Sequence, residues 1–526
     1  MSSFFSKFQT LLGVLVILLF VNCTSVEKYN QKVTQPIAVE KLQADINYTQ
    51  HKLEKLHPNL YGYISKEKLN FKFDSIRSVV NKPMTSKEFY FVISPVIAAV
   101  RQGHMTMSPT IKKVSKKEAK RYKKSGDGPI SQFVFEWQND KLYVLKSKSK
   151  KNKINAGAEV ISVNSITPQS IYAKYRKSFT SDGLNTTFLP KLFSKRYTLF
   201  LTNEIGINDS LTYIFKQNDS LLTRIVSRNK PVKKVKDTTK VVTKAPIDKV
   251  KIKAEKKRKR IYGFDEVSKE YVKSLKVVPT DTSVVVLKIK NFSEGRYYRI
   301  YDALFDSIQR LNIKTLIIDL RDNPGGRIAE VVELYSYLTD AEYTMLQPSV
   351  VTSKTSLWKT GIFKTVPKLA YPFIGIGYPF YMGLSYFKTT KKDDGTYRFS
   401  VTGARKRKSN PNHFKGQLYV MINGGSFSAS CLLSSALKLH PNVTFVGEET
   451  GGAFNGTVAG IMPVVELPNS KIPLRLGLID IKTISQTDVN GRGIFPDKEI
   501  VPSLQDKIDQ KDPELDWILS DSKKKK

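Results

Sequence analysis

Cysteine is nearly absent from this chain: Cys23 and Cys431 are the only two in 526 residues. That excludes a disulfide-stapled scaffold. Histidine is scarce too, at five, and no zinc-finger spacing is present. No metal and no cofactor is expected. Acidic residues are outnumbered, 47 against 86 Lys plus Arg, for a formal charge of +39. Such a surface is drawn to anionic membranes, acidic polymers or nucleic acid. Nucleic acid is not expected as a partner, because the chain has no RNA-binding aromatic motif and no recognition-helix pattern. The surplus reads as general lysine richness. The N-terminal apolar run, residues 11–21, is too short for a confident spanning helix.

That run follows Lys7 and leads through Asn22 to Cys23. It fits a secretory signal at 1–22 whose removal leaves Cys23 first. The arrangement resembles a bacterial lipoprotein signal, with Phe20 and Asn22 as departures. The resemblance implies lipid on Cys23 and a membrane-anchored chain outside the cytoplasm, facing the periplasm or cell surface of a bacterium. An uncleaved signal anchor is the alternative. Cys431 is then alone in an apolar helical stretch and reads as a buried small residue.

The length suggests two to four domains. Residues 23–40 are polar and read as a tether. Residues 41–110 read as mainly helical and end in the stretch Arg101-Gln102-Gly103-His104. Residues 125–228 show strand patterns at 133–137, 141–145, 159–163, 197–201, 211–215 and 221–226, with a helix from Pro168. Within them, 154–175 resembles a degenerate PDZ domain. That likeness implies a groove at 157–163 that takes an extended peptide or its C-terminus by strand addition. Residues 229–260, dominated by lysine, read as a linker or surface hairpin. From 261 to 522 strands and helices alternate around glycine turns, an α/β organisation with function expected at strand ends. The aromatic stretch 357–387 is open to lining a substrate cleft, covering the fold or touching a membrane, with buried packing as the plainest reading.

Residues 421–435, MINGGSFSASCLLSS, organise the chain. A strand, a tight turn and a helix follow one another, with Ser426, Ser428 and Ser430 at the junction. A serine there can sit on an exposed turn beside free amides. Helix capping is the plainer use of such serines.

Four motifs in order extend this pattern: IIDLRDNPGG at 317–326, NGGSFSAS at 423–430, GEETGG at 447–452 and GRGIFPD at 491–497. Together they resemble the C-terminal-processing, or tail-specific, serine peptidases. The resemblance implies an α/β peptidase core of the crotonase-like type and polypeptide substrates, recognised near their C-terminus. It implies Ser428 as nucleophile, Ala429 with Gly325 or Gly326 as oxyanion donors, and Asp319, Arg321 and Glu448 as loop braces. Many members take a lysine as base in the turn after GExT, where this chain has Ala453. It resembles instead the tricorn-core-like branch, whose base is a histidine. His104, in QGHMT, matches that branch's segment before the PDZ-like domain. Asp488 is the expected acidic partner, with Asn490, Glu448 and Glu449 as alternatives. The expected protein is an exported serine endopeptidase. The alternative is a ligand-binding lipoprotein that kept the fold and lost the chemistry.

Overall fold

The computed structural model describes residues 25–148, 154–229, 249–361, 366–367 and 370–525. The signal, Cys23 and lysine-rich residues 230–248 lie outside them.

The chain is ordered earlier than a tether would allow. Helix α1 (Val26–Thr34) buries Val33, and Ile37 exchanges backbone hydrogen bonds with Met84. Helices α2 (Val39–Leu56), α3 (Lys66–Val79) and α4 (Ser86–Ala98) follow. Thr85 and Glu88 form a capping box that starts α4. Leu42, Ile46, Leu53 and Leu56 recur at helical spacing and are buried. They share one core with Ile289, Leu316 and Leu478. The helical region is therefore packed into the C-terminal domain rather than standing apart.

A second core belongs to the middle region. Strands β1 (Phe133–Gln138), β2 (Lys141–Ser147) and β3 (Glu159–Val163) lead to helices α5 (Pro168–Tyr175) and α6 (Phe188–Ile205). Strands β4 (Ser210–Gln217) and β5 (Ser220–Ser227) complete a five-stranded antiparallel sheet in chain order. The strand expected at 197–201 is part of α6 instead. Phe193, Tyr197, Phe200 and Leu201 are buried from that helix, a spacing of four, three and one that fits a 3.6-residue period. Strand addition at 157–163 meets an edge already occupied at its start, residues 157–159. The strand is internal, and Gly157 and Ala158 already bond Val144 from both amide and carbonyl sides.

The end of the lysine-rich segment is neither linker nor hairpin but helix α7 (Lys249–Tyr262), which packs Ile261 and Tyr262 on the main core. The last region then builds a six-stranded sheet. Its strands are β6 (Lys273–Val278), β7 (Asp281–Ile289), β8 (Thr315–Asp319), β9 (Gln417–Ile422), β10 (Val443–Gly447) and β11 (Lys498–Glu499), adjacent in that order. All neighbours are parallel except β6 and β7. Parallel pairing needs long crossovers. Helices α8 (Tyr297–Arg310) and α9 (Ile328–Ser336) serve β7–β8 and β8–β9, and α11, given below, serves β9–β10. The β8–β9 crossover also carries helix α10 (Tyr371–Phe387). Strand β8 is wholly buried, as its unbroken apolar run requires. Asp319 pairs with Met421 across β8 and β9, so the loops that follow these strands emerge side by side.

Candidate active site

Strand β9 ends in a turn that delivers Ser428 to the start of helix α11 (Ala429–Leu437). Ser428 has φ 57° and ψ −119°. A non-glycine residue held there stores about 1–3 kcal/mol of strain, so its surroundings must impose it. The flanking serines do this. Ser426 Oγ donates to the Leu320 carbonyl at 2.7 Å and accepts from the Asn423 amide at 3.1 Å. Ser430 Oγ donates to the Asn323 carbonyl at 3.0 Å. The same carbonyl accepts the Phe427 amide at 2.9 Å. Both outer hydroxyls are thus used in structure, while Ser428 Oγ has no hydrogen bond among the described residues and remains partly exposed.

The loop after β8 lies against this turn. Asn323 is completely buried, donates to the Ile289 carbonyl at 2.8 Å and accepts from the Gly325 amide at 2.9 Å. Gly325 has φ 93°, and a Cβ there would lie 2.8 Å from Ser428 Cβ and 2.7 Å from the Ala429 amide nitrogen. Only glycine lets the two loops meet this closely. We expect Gly325→Ala to lower kcat/KM at least tenfold by displacing Ser428 or the Ala429 amide. Steady-state kinetics on a chain of unchanged far-UV circular dichroism checks this. The three expected oxyanion donors are not equivalent. Ala429, first in its helix, has no intrahelical acceptor for its amide. Gly326 donates to nothing among the described residues, whereas the Gly325 amide is already taken by Asn323.

The expected braces are all engaged. Asp319 accepts from Arg321 Nε and Nη2 at 2.9 and 3.0 Å. Arg321 also reaches Asp512 and Glu514, both at 2.8 Å, which ties this loop to helix α12 (Pro513–Lys524). Glu448 accepts from the Gly424 amide at 3.2 Å. Glu449 accepts from the Gly493 amide at 2.7 Å and from Arg492 Nε at 2.9 Å, so the third and fourth motifs clamp each other. Cys431 is buried and its thiol pushed up to about 12 by desolvation, which leaves it inert.

His104 comes from the opposite end of the sequence. Just after it, Thr106 and Met107 pair antiparallel with Arg475 and Leu474, and this short ladder pins the segment to the C-terminal domain. The His104 ring lies 5.0 Å, centroid to centroid, from the ring of Phe427, the neighbour of Ser428. Gly103 sits where a Cβ would be 2.5 Å from the Phe427 ring and 2.9 Å from Asp182 Oδ1. A serine before the histidine would have to displace the Phe427 ring and the Asp182 carboxylate. Burial, with a smaller contribution from Arg475, lowers the His104 pKa to about 4, so the imidazole is neutral at pH 7. Its Nε2 is buried with no partner, and among the described residues no hydrogen bond joins the ring to Ser428 Oγ.

Asp488 does not meet this group. It is exposed, and its side chain has no hydrogen bond or ion pair among the described residues. Its backbone carbonyl only accepts the Asn490 amide, and Asn490 is exposed too. The loop that holds both turns them to solvent. The carboxylate beside the His104 loop is Asp182, which the sequence reading missed. It is buried, with Oδ1 2.7 Å from the Gly103 amide and Oδ2 3.3 Å from the Ala453 amide. One side chain therefore joins the histidine loop to the glycine turn at Ala453. In sequence Asp182 is one residue of a Ser-Asp-Gly turn, and such turns are ordinary.

Burial raises the Asp182 pKa from 3.8 to about 6, although its two amide bonds pull the other way. A raised acid binds more protons folded than unfolded, so this group lowers stability as pH rises from about 4 to 6. His104 has the opposite sign: its stabilisation is present above 6.5 and is lost as pH falls toward 4. The two slopes offset each other. Asp182→Asn leaves one of two buried amides facing an NH2 group. We expect it to cost about 1–3 kcal/mol at pH 7. It should also make stability rise more steeply from pH 4 to 6, as urea titrations at several pH values will measure.

A cleft of about 880 Å³ opens between the antiparallel sheet and the strand ends, with Lys195, Asp322, Asn423 and Glu448 among its walls. The Lys195–Asp322 ion pair, at 3.1 Å, bridges the two sides. Its walls stop short of Ser428 and His104.

A serine on a strained strand-to-helix turn, with free amides beside it and a neutral histidine nearby, is the equipment of a serine hydrolase. Residues 283–500 match the family model described as Peptidase family S41. A carboxy-terminal-processing protease of Bartonella bacilliformis is 37% identical over 90 residues, which is 17% of this chain and 19% of that protein. The matched stretch thus spans about a fifth of that relative. Among solved structures, mature CPAF has a TM-score of 0.56 at 14% identity, covering 89% of this chain and 94% of that one. Mature CPAF complexed with lactacystin gives 0.55 at 14%, covering 90% and 96%. At such identity the likeness is one of fold: a mixed α/β, multidomain chain.

Proposed function

We propose that the protein is a serine-type endopeptidase that cleaves polypeptides through an acyl-enzyme on Ser428. The observation that carries this is the turn itself. Of three adjacent serines, only Ser428 keeps a free hydroxyl, and it does so in a strained conformation against the Ala429 amide and Gly325. In this reading His104 removes the hydroxyl proton as Oγ attacks the scissile carbonyl, then returns it to the leaving amine. The Ala429 and Gly326 amides receive the oxyanion, aided by the positive end of α11. Water then repeats the sequence and releases the acyl group. Asp182 holds the His104 loop and the Ala453 turn in place, and Asp319, Arg321 and Glu448 hold the two glycine loops. Recognition near a substrate's C-terminus is part of this proposal, supported by the likeness to a carboxy-terminal-processing protease of Bartonella bacilliformis. An assay on an unfolded protein substrate tests it: new N-termini should appear with wild-type chain.

Two observations favour a second reading, a binding protein on the same fold: among the described residues His104 and Ser428 are not hydrogen-bonded, and Asp488 stands apart. Retained peptide binding with no cleavage of any unfolded substrate would establish that reading. The setting is proposed as export and anchoring through lipidated Cys23. Intact mass spectrometry should find a mature chain that begins at an acylated Cys23; retention of residues 1–22 would mean a signal anchor.

A further inference from the structure

The aromatic segment is not buried packing. Helix α10 exposes one stripe made of Phe373, Ile376, Phe380, Leu384 and Phe387, which are 79, 82, 75, 45 and 82% accessible. Their spacing of three or four places them on one face. The stripe runs from Phe373 to Phe387, a rise of about 21 Å. The tyrosines take the other face. Tyr378 and Tyr381 donate their hydroxyls to the carbonyls of Trp358 and Leu357, and Trp358 Nε1 donates to the Met382 carbonyl at 3.1 Å. Polar-tipped rings thus fix the helix to the protein, and rings without a polar tip face outward. A stripe of this size marks an interaction surface.

The charge around it identifies the occupant. From Tyr343 to Lys392 the chain has seven lysines and no Asp or Glu. Lys388, Lys391 and Lys392 are exposed at the C-terminal end of the helix. Lys359, on the N-terminal side, has its charge disfavoured first by burial and then by Lys55 and Lys52 of α2. A second copy laid on this stripe would bring like charges together. An anionic bilayer accepts both features, phenylalanines in the acyl region and lysines at the headgroups. Among the described residues no helix is long and apolar enough to cross a membrane, so the helix would lie in the interface. We propose that α10 is an interfacial membrane-docking helix for anionic lipid, separate from any anchorage at Cys23.

The full chain carries an apolar N-terminal run, so vesicle binding alone would not report on α10. A local probe does. In Phe380→Trp chain mixed with phosphatidylglycerol vesicles bearing brominated acyl chains, the added indole fluorescence should shift to the blue and be quenched. Phosphatidylcholine vesicles should do this at least tenfold less effectively. The triple variant Phe373→Ser, Phe380→Ser, Phe387→Ser should keep the wild-type melting curve and, by vesicle flotation, bind anionic vesicles at least tenfold more weakly than wild type. An indole that stays unquenched while the chain binds vesicles would overturn the proposal. So would concentration-dependent dimerisation in sedimentation that the triple serine variant abolishes, since the stripe would then be covered by a second copy.

Discussion

Ser428→Ala is expected to lower kcat/KM for an unfolded protein substrate by at least about a thousandfold while leaving the fold intact. Removal of a nucleophile from a site with oxyanion donors leaves only the catalysis those donors and substrate binding supply. The fold should not notice. The Ser428 hydroxyl makes no hydrogen bond among the described residues, whereas Ser426 and Ser430 each hold a neighbouring carbonyl. The comparison is diagnostic for that reason. Ser430→Ala should cost stability, about 1 kcal/mol for a buried hydrogen bond, and leave the acylation chemistry available. Progress curves for both variants, beside thermal melts, separate chemistry from structure. Equal loss of stability in both would mean that Ser428 is a packing residue.

His104→Gln is expected to slow acylation by about two orders of magnitude or more, the usual contribution of a positioned general base. The pH profile carries the sharper expectation. An exposed histidine would bring its limb near pH 6.5. Here burial lowers the His104 pKa to about 4, and the ring is the active neutral base above that value. The wild-type kcat/KM should therefore stay flat from about pH 5 through neutrality and fall only as pH drops toward 4. In stability the same shift has a fixed sign. The unfolded chain takes up a proton near pH 6.5 that the folded chain refuses until about 4, so acid favours unfolding. His104→Gln removes this term and should flatten the acid side of the stability curve. Kinetics and urea denaturation from pH 4 to 8 read both effects.

Much of the site was legible because its chemistry is local. Glycine turns after apolar strands specify the two loops, and the hydroxyls at 426–430 sit within one turn. Strands β8 and β9 each follow their crossovers with unmistakable buried runs. The N-terminal helices were legible from period, but not their fusion with the C-terminal core, because that core joins residues hundreds of positions apart. The same distance hid Asp182. Its partners, Gly103 and Ala453, lie 79 and 271 residues away, and no local pattern announces a carboxylate that bridges two loops. Asp488 was favoured by its nearness to a motif, yet its loop turns it to solvent. Helix α6 was lost to a short window: 197–201, Tyr-Thr-Leu-Phe-Leu, is an apolar run too short to tell strand from helix, and only with Phe193 does the helical period show. In α10 the composition left burial, a cleft lining and a membrane contact open, and only the placement of tyrosine hydroxyls on one face showed which rings were left outside.

The most direct measurement is covalent trapping. Wild-type chain treated with a serine-directed fluorophosphonate, then digested and mapped by mass spectrometry, should carry one adduct, on Ser428. The trapping rate should fall about a hundredfold in His104→Gln, since the reagent needs the same proton removal as a peptide. An adduct on another serine of folded protein, or equal trapping rates in the two chains, would contradict the assignment of Ser428 and His104 as nucleophile and base.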